Sequence, residues 1–216
     1  MKISIDKAVF ASHEHFMVGC LAYSGLNISK ASLEIPEMLR DIEEYVRLNF
    51  NEDAVQSHHL ISAWKAAVAH YGEKFHHYQT NVEQLMKVVL TGGEIKSENK
   101  LVDLVHFFTL KFLVPMNVID LKKVSGKLLF TLAEGGELVF KDDKHVLARK
   151  LNYELNSKVV VTDKTTDALV YIEALPPLNV QQLDNILQEA AGLVKAFCGG
   201  KVKRFILTKE KLSAEI

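Results

Sequence analysis

The chain has 216 residues, of which 48% are hydrophobic and 25% charged, and this composition is typical of a folded globular protein rather than a disordered one. Its formal net charge of −1 excludes a protein that binds nucleic acid through a general basic surplus, so any phosphate contact needs a local patch. Two cysteines, Cys20 and Cys198, are too few for a disulfide framework or a cysteine-based zinc site, which indicates buried thiols in a reducing compartment.

The first half of the chain begins with strands and continues with helices. Strands are predicted at 2–6 and 15–24, and the second is apolar almost throughout, which is typical of a strand covered on both faces. Apolar residues at helical spacing then predict a series of helices. The first begins at about Pro36, and the second runs over 53–71 and stops at Gly72. The third begins at Asn81, an N-cap with Gln84 three residues later, and stops at Gly92-Gly93. The fourth runs over 99–114.

The second half is rich in short β segments separated by Gly, Asp and Asn turns. They are predicted at 127–133, 137–141, 145–150, 158–162 and 168–174. A long amphipathic helix over 179–198 and a last strand from Lys201 follow. This order predicts one α+β domain over 1–216, with a mixed or antiparallel sheet flanked by helices.

Several kinds of segment and site have no signature in the sequence. No apolar stretch reaches the ~18 residues needed to span a bilayer, and the N-terminus lacks the apolar core of a signal peptide, so we expect a cytoplasmic protein without a membrane partner. Nine histidines occur, but neither HExxH nor a cysteine-rich ligand set is present. GxGxxG and P-loop motifs are also missing, so we expect no metal and no cofactor.

Short motifs form an ordered set between Trp64 and Leu169. The first group comprises Trp64-Lys65, Tyr71-Gly72, Asn81-Val-Glu-Gln-Leu85 and Gly92-Gly93. The second comprises Leu101-Val-Asp103, His106, Thr109-Leu110, Pro115, Ile119-Asp120-Leu121 and Gly126. The third comprises Gly136-Glu137, Asp142-Asp143, Arg149, Asn152-Tyr153, Thr162 and Thr165-Thr166-Asp167-Ala168-Leu169. Their order and spacing resemble the B3/B4 (tRNA-editing) domain of the phenylalanyl-tRNA synthetase β subunit, in its stand-alone form.

The resemblance covers roughly residues 55–208, which leaves 1–54 as an N-terminal elaboration. It implies the mixed α/β fold of that synthetase domain and a pocket that discriminates an amino acid attached to tRNA. The partners that it implies are tRNA, aminoacyl-tRNA or a small amino-acid-like ligand.

The chain departs from the family pattern at pocket positions. The usual Asn of the V-D-x-x-N element is His106 here, and the pocket His of the P-L-H-A-F-D stretch is Asn117. The Gly-Gly before a pocket Glu becomes Asn152-Tyr153, ahead of Glu154. The resemblance therefore supports the fold of the family more strongly than the chemistry of its pocket.

Two candidate site residues share a helix face, and a third follows that helix. His106 and Thr109 are three positions apart, and His106 would position a water or bond a substrate carbonyl. A helix-packing histidine explains the same position. Asn117 follows Pro115 in the connection from helix to sheet, where loops often carry sites, and the functional and structural interpretations are balanced there.

Three further candidates have equally ordinary alternatives. Glu137 follows Gly135-Gly136, which suits close backbone approach to an aminoacyl ester but also a simple hairpin. Glu154 would recognise an ammonium or a phenolic hydroxyl, or be a solvated loop residue. Thr166 would hold the terminal ribose or the ester, although threonine is common where strands begin.

A basic cluster near the C-terminus also has two interpretations. It would touch a tRNA backbone, or it would protect a solvated edge strand. Its members are Lys201, Lys203, Arg204, Lys209 and Lys211.

We hypothesise an editing-type module that binds aminoacyl-tRNA, or a related aminoacyl compound, and hydrolyses the mischarged ester. Backbone groups and Thr or Asn side chains would hold the ester while a bound water attacks. No nucleophile–base pair is visible, so a covalent mechanism is disfavoured and no catalytic residue is assigned. The alternative is a non-catalytic domain that binds tRNA, other RNA or an amino acid.

Overall fold

The protein, in a computed structural model, is described over residues 1–29, 32–69, 79–149 and 154–216. Within these residues it forms seven α-helices and two β-sheets, which confirms the predicted single α+β domain with mixed and antiparallel sheets. The helices are α1 (Val9–Ser12), α2 (Glu34–Asn49), α3 (Glu52–Ser57), α4 (His59–Ala69), α5 (Asn81–Leu90), α6 (Lys100–Phe112) and α7 (Val180–Cys198).

The strands divide into two sheets. They are β1 (Lys2–Ile5), β2 (Met17–Ser24), β3 (Met116–Asp120), β4 (Leu128–Leu132), β5 (Leu138–Lys141), β6 (Val146–Arg149), β7 (Glu154–Leu155), β8 (Ala168–Ala174), β9 (Lys201–Leu207) and β10 (Ser213–Glu215). Sheet A has the order β10-β1-β4-β5-β6-β7 and is mixed, because β1 and β4 are parallel. Sheet B has the order β3-β8-β2-β9 and is antiparallel throughout.

Sheet B lies between a helical layer and sheet A. Along β2, Leu21 and Tyr23 pack with α6 and α7, whereas Val18 and Cys20 pack with the apolar residues of sheet A. Alternate residues of a strand point to opposite faces, so a strand between two layers must be apolar at nearly every position. The predicted coverage of this strand on both faces is therefore confirmed.

A third apolar cluster joins the helices that precede β3. It contains Leu39 and Val46 of α2, Ile61 of α4, Met86 of α5 and Leu110 of α6. These residues recur at helical spacing, so each helix turns one apolar stripe inward. The cluster fixes α5 and α6 against each other, and these two helices form one side of the cavity described below.

The helix predictions need three corrections. The short helix α1 was not predicted. The helix predicted over 53–71 is broken at His58, which separates α3 from α4, and its last residues with Gly72 lie outside the described residues. The N-cap of α5 is Thr80 rather than Asn81, because the Thr80 hydroxyl accepts from the Glu83 backbone N–H and the Glu83 carboxylate accepts from the Thr80 N–H.

The strand predictions were wrong in four places. Residues 158–162 form no strand. Ser157–Val159 is a 3-10 turn capped by the Asn156 side chain, and the apolar residues after it line a cavity. The strands β3, β7 and β10 were missed, because all three are short and their polar residues hide the alternation on which a strand prediction depends.

The first 54 residues supply β1, β2 and α2, and β2 pairs on both sides within sheet B. The division into an elaboration over 1–54 and a core over 55–208 stays a prediction. No helix in the described residues combines the length and the apolar character that a bilayer crossing requires.

The turn between β5 and β6 is organised by a buried carboxylate. Asp142 accepts backbone N–H bonds from Ser125 (2.9 Å), Lys144 (2.7 Å) and His145 (2.6 Å). Burial raises the pKa of Asp142, but these three donors and the nearby His145 ring lower it by more, so the net shift is downward.

Replacing Asp142 by alanine is expected to destabilise the protein by about 2 kcal/mol near neutral pH, because three N–H groups lose their acceptor. The pKa of the folded state is lowered, so this stabilisation is present above the unfolded pKa of about 4 and is lost as the pH falls through the folded value. Urea unfolding at neutral and acidic pH measures the effect, with the exposed Asp163→Ala as control. A gap between wild type and Asp142→Ala that stays constant at every pH would contradict it.

Candidate functional site

A cavity of about 400 Å³ lies between α5, α6, the edge strand β3 and the segment after β7. Its wall is mostly apolar, and a few polar side chains interrupt it, which is the usual character of a small-ligand site. Its described lining residues are Asn81, Gln84, Leu85, Val88, Glu98, Val102, Val105, His106, Met116, Asn117, Val118, Leu155, Val160 and Val161.

Asn81 ties α5 to β3 at one side of the cavity. Its side-chain nitrogen Nδ2 donates to the Met116 carbonyl at 2.6 Å. A carbonyl oxygen can only accept, so this bond fixes the amide with its oxygen Oδ1 turned elsewhere. That oxygen is enclosed and has no hydrogen-bond partner among the described residues, which costs about 1–3 kcal/mol while no donor reaches it.

The edge strand β3 presents backbone groups to the cavity. The odd-numbered residues around β3 make the backbone hydrogen bonds to β8. At one end the Glu173 N–H donates to the Pro115 carbonyl, and at the other end the Leu121 N–H donates to the Asp167 carbonyl. Met116 and Val118 therefore direct their N–H and C=O groups towards the open edge of sheet B. The Val118 N–H donates to the Asn117 side-chain oxygen at 2.9 Å.

His106 projects from α6 and is half-buried in the cavity wall. Its Nδ1 atom is enclosed and has no hydrogen-bond partner in the part of the chain that the structure describes. Burial lowers the pKa of His106, while the charges of Glu98 and Asp103 act in the opposite direction without cancelling it. The imidazole is therefore neutral near pH 7, with one nitrogen able to accept a proton.

Glu98 lies on the approach to α6 and is exposed at the cavity. Its backbone N–H donates to the buried Asp103 carboxylate at 2.9 Å, and this bond holds the residue at the start of the helix. Among the described lining residues, Glu98 is the one acid, and Lys and Arg are absent. The described wall of the cavity thus carries negative charge only.

The structure brings together two of the six residues that the sequence singled out. His106 and Asn117 line the same cavity. The backbone of Glu154 begins β7, directly before the lining residue Leu155, but the Glu154 side chain lies outside the described part of the structure, as does Tyr153. The other three candidates lie elsewhere.

Thr109, Glu137 and Thr166 each have a structural partner away from the cavity. The buried Thr109 hydroxyl donates to the Val105 carbonyl at 2.7 Å, one turn earlier in α6. Glu137 accepts from Arg149 at 3.2 Å across sheet A. The Thr166 hydroxyl donates to Asp167 at 2.7 Å and accepts from Lys122 at 2.6 Å.

The basic cluster near the C-terminus is largely engaged with the protein itself. Lys203 donates to the Glu215 carbonyl, Arg204 pairs with Asp184, and Lys209 pairs with Glu14. β9 is an edge strand of sheet B, on the edge opposite to β3. No group of three or more His, Cys, Asp or Glu residues in the described ranges is placed to hold a metal ion.

Sequence reasoning missed Asn81 and Glu98 as members of the cavity. Asn81 was predicted as a helix cap, and this role alone explained an asparagine at that position. Glu98 precedes a helix in a polar stretch and resembles any solvated residue. Only the packing of α5 and α6 against β3 brings the two beside His106.

All described lining residues fall between Asn81 and Val161. Residues 63–167 match the B3/4 domain family, and this segment contains the whole of that lining. The chain therefore contains a segment that matches the B3/4 domain. This match agrees with the resemblance inferred from the ordered motifs between Trp64 and Leu169.

The likeness to a bacterial protein extends beyond the matched segment. The chain is 16% identical over 200 residues to the uncharacterized protein YhzB of Bacillus subtilis (strain 168), covering 93% of this chain and 96% of that protein. The similarity therefore includes the strands and helices that flank the B3/4 segment. The name of that relative assigns no activity.

Chemically, the B3/4 cavity offers an apolar wall, a neutral imidazole and amide groups. Among its described lining residues there is no Ser, Thr, Cys, Lys or Tyr side chain to serve as a covalent nucleophile. Among the described lining residues, His106 is the neutral side chain that could act as a base towards a water molecule.

Proposed function

We propose that this B3/4 domain binds the aminoacyl group of an aminoacyl-tRNA, or of a related aminoacyl compound, and hydrolyses its ester bond. The observation that carries the proposal is the cavity itself, because its described lining lies entirely within the segment that matches the family. The volume of about 400 Å³ suits an amino-acid side chain and its ester rather than a whole nucleotide chain.

In the proposed reaction, a water molecule beside His106 attacks the ester carbonyl carbon. The neutral imidazole takes a proton from that water, and the amide of Gln84 donates to the carbonyl oxygen as negative charge develops there. The bond between the carbonyl carbon and the ribose oxygen breaks, and the ribose oxygen receives the proton. The products are a free amino acid and a free tRNA 3′ end.

A second function is favoured by the scarcity of catalytic groups in the described lining. With His106 as the one neutral base, the domain would bind an aminoacyl compound and release it unchanged. The two functions differ in turnover, not in the ligand.

Deacylation of a panel of mischarged tRNAs tests the proposed hydrolysis. Purified protein is mixed with tRNAs that carry different amino acids, and the loss of the ester is followed against spontaneous hydrolysis. Acceleration for some members of the panel supports the enzyme. Binding of the same tRNAs without acceleration supports the non-catalytic domain, and neither binding nor acceleration would sink both.

Two lysines beside the cavity would meet the phosphates next to a bound aminoacyl group. Lys123 donates to the carbonyl of the lining residue Val160 at 2.7 Å, and Lys158, two residues before Val160, contacts the His145 ring at 3.0 Å. Neither lysine is in an ion pair with a carboxylate of the described residues. Their charges are therefore available to a phosphate backbone.

Replacing both lysines by glutamine is expected to weaken tRNA binding and to lower the slope of log K against log salt by about 1–2, because fewer counterions are released. Filter binding at several salt concentrations measures the slope. The matched control is Lys201→Gln with Lys211→Gln, which removes the same charge near the opposite edge of sheet B. Equal slopes in the two double variants would place the phosphate contacts elsewhere.

A further inference from the structure

The edge strand β3 offers the cavity a backbone hydrogen-bond acceptor. The Val118 carbonyl is directed to the open edge of β3, and within the described residues no donor is bonded to it. The neighbouring Asn81 amide uses its nitrogen on the Met116 carbonyl, and its oxygen is too enclosed for a ligand to reach. A ligand that enters the cavity can therefore satisfy the Val118 carbonyl by donating a hydrogen.

The charge of the cavity favours the same kind of ligand. Glu98 is the one ionised side chain among the described lining residues, and it forms no ion pair with the described part of the chain. The Glu98 carboxylate acts to raise the pKa of His106, which lines the same cavity, so the two side chains are close enough to interact. A ligand cation is attracted there, whereas a carboxylate or phosphate is repelled.

We infer that the cavity selects aminoacyl compounds by their free ammonium group, which donates to the Val118 carbonyl and is attracted by Glu98. This inference rests on the proposed function and deepens it by naming the recognised chemical group. The apolar residues Leu85, Val105 and Val161 accommodate an uncharged side chain next to that group. An N-acylated aminoacyl compound lacks both the charge and two of the donors, so the site rejects it.

Calorimetric titration with amides of leucine, phenylalanine and tyrosine, and with their N-acetyl forms, tests this selection at about pH 7, where much of the free amine is protonated. We expect the free amides to bind about 10-fold tighter or more, because the ammonium forms charge-assisted hydrogen bonds. Equal binding of the free and acetylated forms would overturn the inference and leave the proposed function standing. No binding of either form would overturn both.

A charge-removing variant separates the role of Glu98 from the shape of the cavity. Glu98→Gln is expected to reduce the preference for the free amides by about 3- to 10-fold, a modest factor because the carboxylate is exposed and screened by solvent. Glu94→Gln is the matched control, since Glu94 is an exposed acid four residues earlier that does not line the cavity. An unchanged preference in Glu98→Gln, or an equal loss in both variants, would overturn the assignment to Glu98.

Discussion

Replacing His106 by alanine is expected to lower the rate of aminoacyl-ester hydrolysis about 100-fold, because general-base catalysis by a positioned side chain is typically worth that factor or more. Binding should change far less, since the apolar wall and the Val118 carbonyl remain. The expected signature is therefore a fall in kcat with a nearly constant KM. Single-turnover deacylation of the best tRNA from the panel measures it.

The pH dependence distinguishes a base from a packing residue. Burial lowers the pKa of His106, so the active neutral form persists to a pH below the ordinary value of about 6.5. The rate of hydrolysis should fall only below that pH. In His106→Asn, which keeps a polar side chain but has no titrating imidazole, this fall in rate at low pH should disappear. His59→Ala, at an exposed histidine of α4, is the control. A rate unaffected by both His106 variants would exclude the histidine from the reaction.

Replacing Glu43 by alanine is expected to destabilise the fold by about 3 kcal/mol, because it removes a buried carboxylate that accepts from a backbone N–H and from the more exposed Arg47. Glu43 is 2% exposed on α2 and accepts from the Ile95 backbone N–H at 2.8 Å and from Arg47 at 3.3 Å. Arg47 in turn donates to the Val89 and Gly93 carbonyls. The network fixes the turn after α5, from which the chain continues to Glu98.

Thermal unfolding measures this loss as a fall in Tm of roughly 6–12 °C for a chain of this size. Glu44→Ala is the matched control, because Glu44 is its exposed neighbour on the same helix and should change Tm little. Glu43→Gln should lie between the two, since it keeps an acceptor for Ile95 but loses the charge that attracts Arg47. Similar Tm values for Glu43→Ala and Glu44→Ala would show that the network contributes little.

The fold could be predicted where a segment is long and its hydrophobic pattern reflects which of its faces are buried. β2 is apolar at almost every position because it is covered on both faces, and α7 is amphipathic because one face is covered. The predictions failed where two residues or two local structures compete, because the sequence pattern does not decide between them. Thr80 and Asn81 are both good caps, and geometry selects Thr80. Valines at 159–161 favour a strand, but Asn156 caps a 3-10 turn there instead.

The candidate site could be predicted only in part, because family motifs mark positions and not contacts. His106 and Asn117 were chosen from such positions, and both line the cavity. Thr109 has the correct spacing to share a face with His106, but a buried threonine hydroxyl satisfies itself on the preceding turn. Asn81 gains its place through a bond to Met116, 35 residues away in the chain, which spacing does not encode.

The order of strands in sheet B also determines when the protein can fold. Gly19 of β2 lies opposite Ile172 on one side and Ile206 on the other, so the centre of the sheet joins residues from both ends of the chain. Among the strands that the structure describes, the cavity strand β3 pairs with β8 alone, and β8 follows the matched segment 63–167. Pairing of such distant residues is slow and requires nearly the whole chain. On a ribosome, the cavity would therefore form late, and the family segment alone would not make a folding unit.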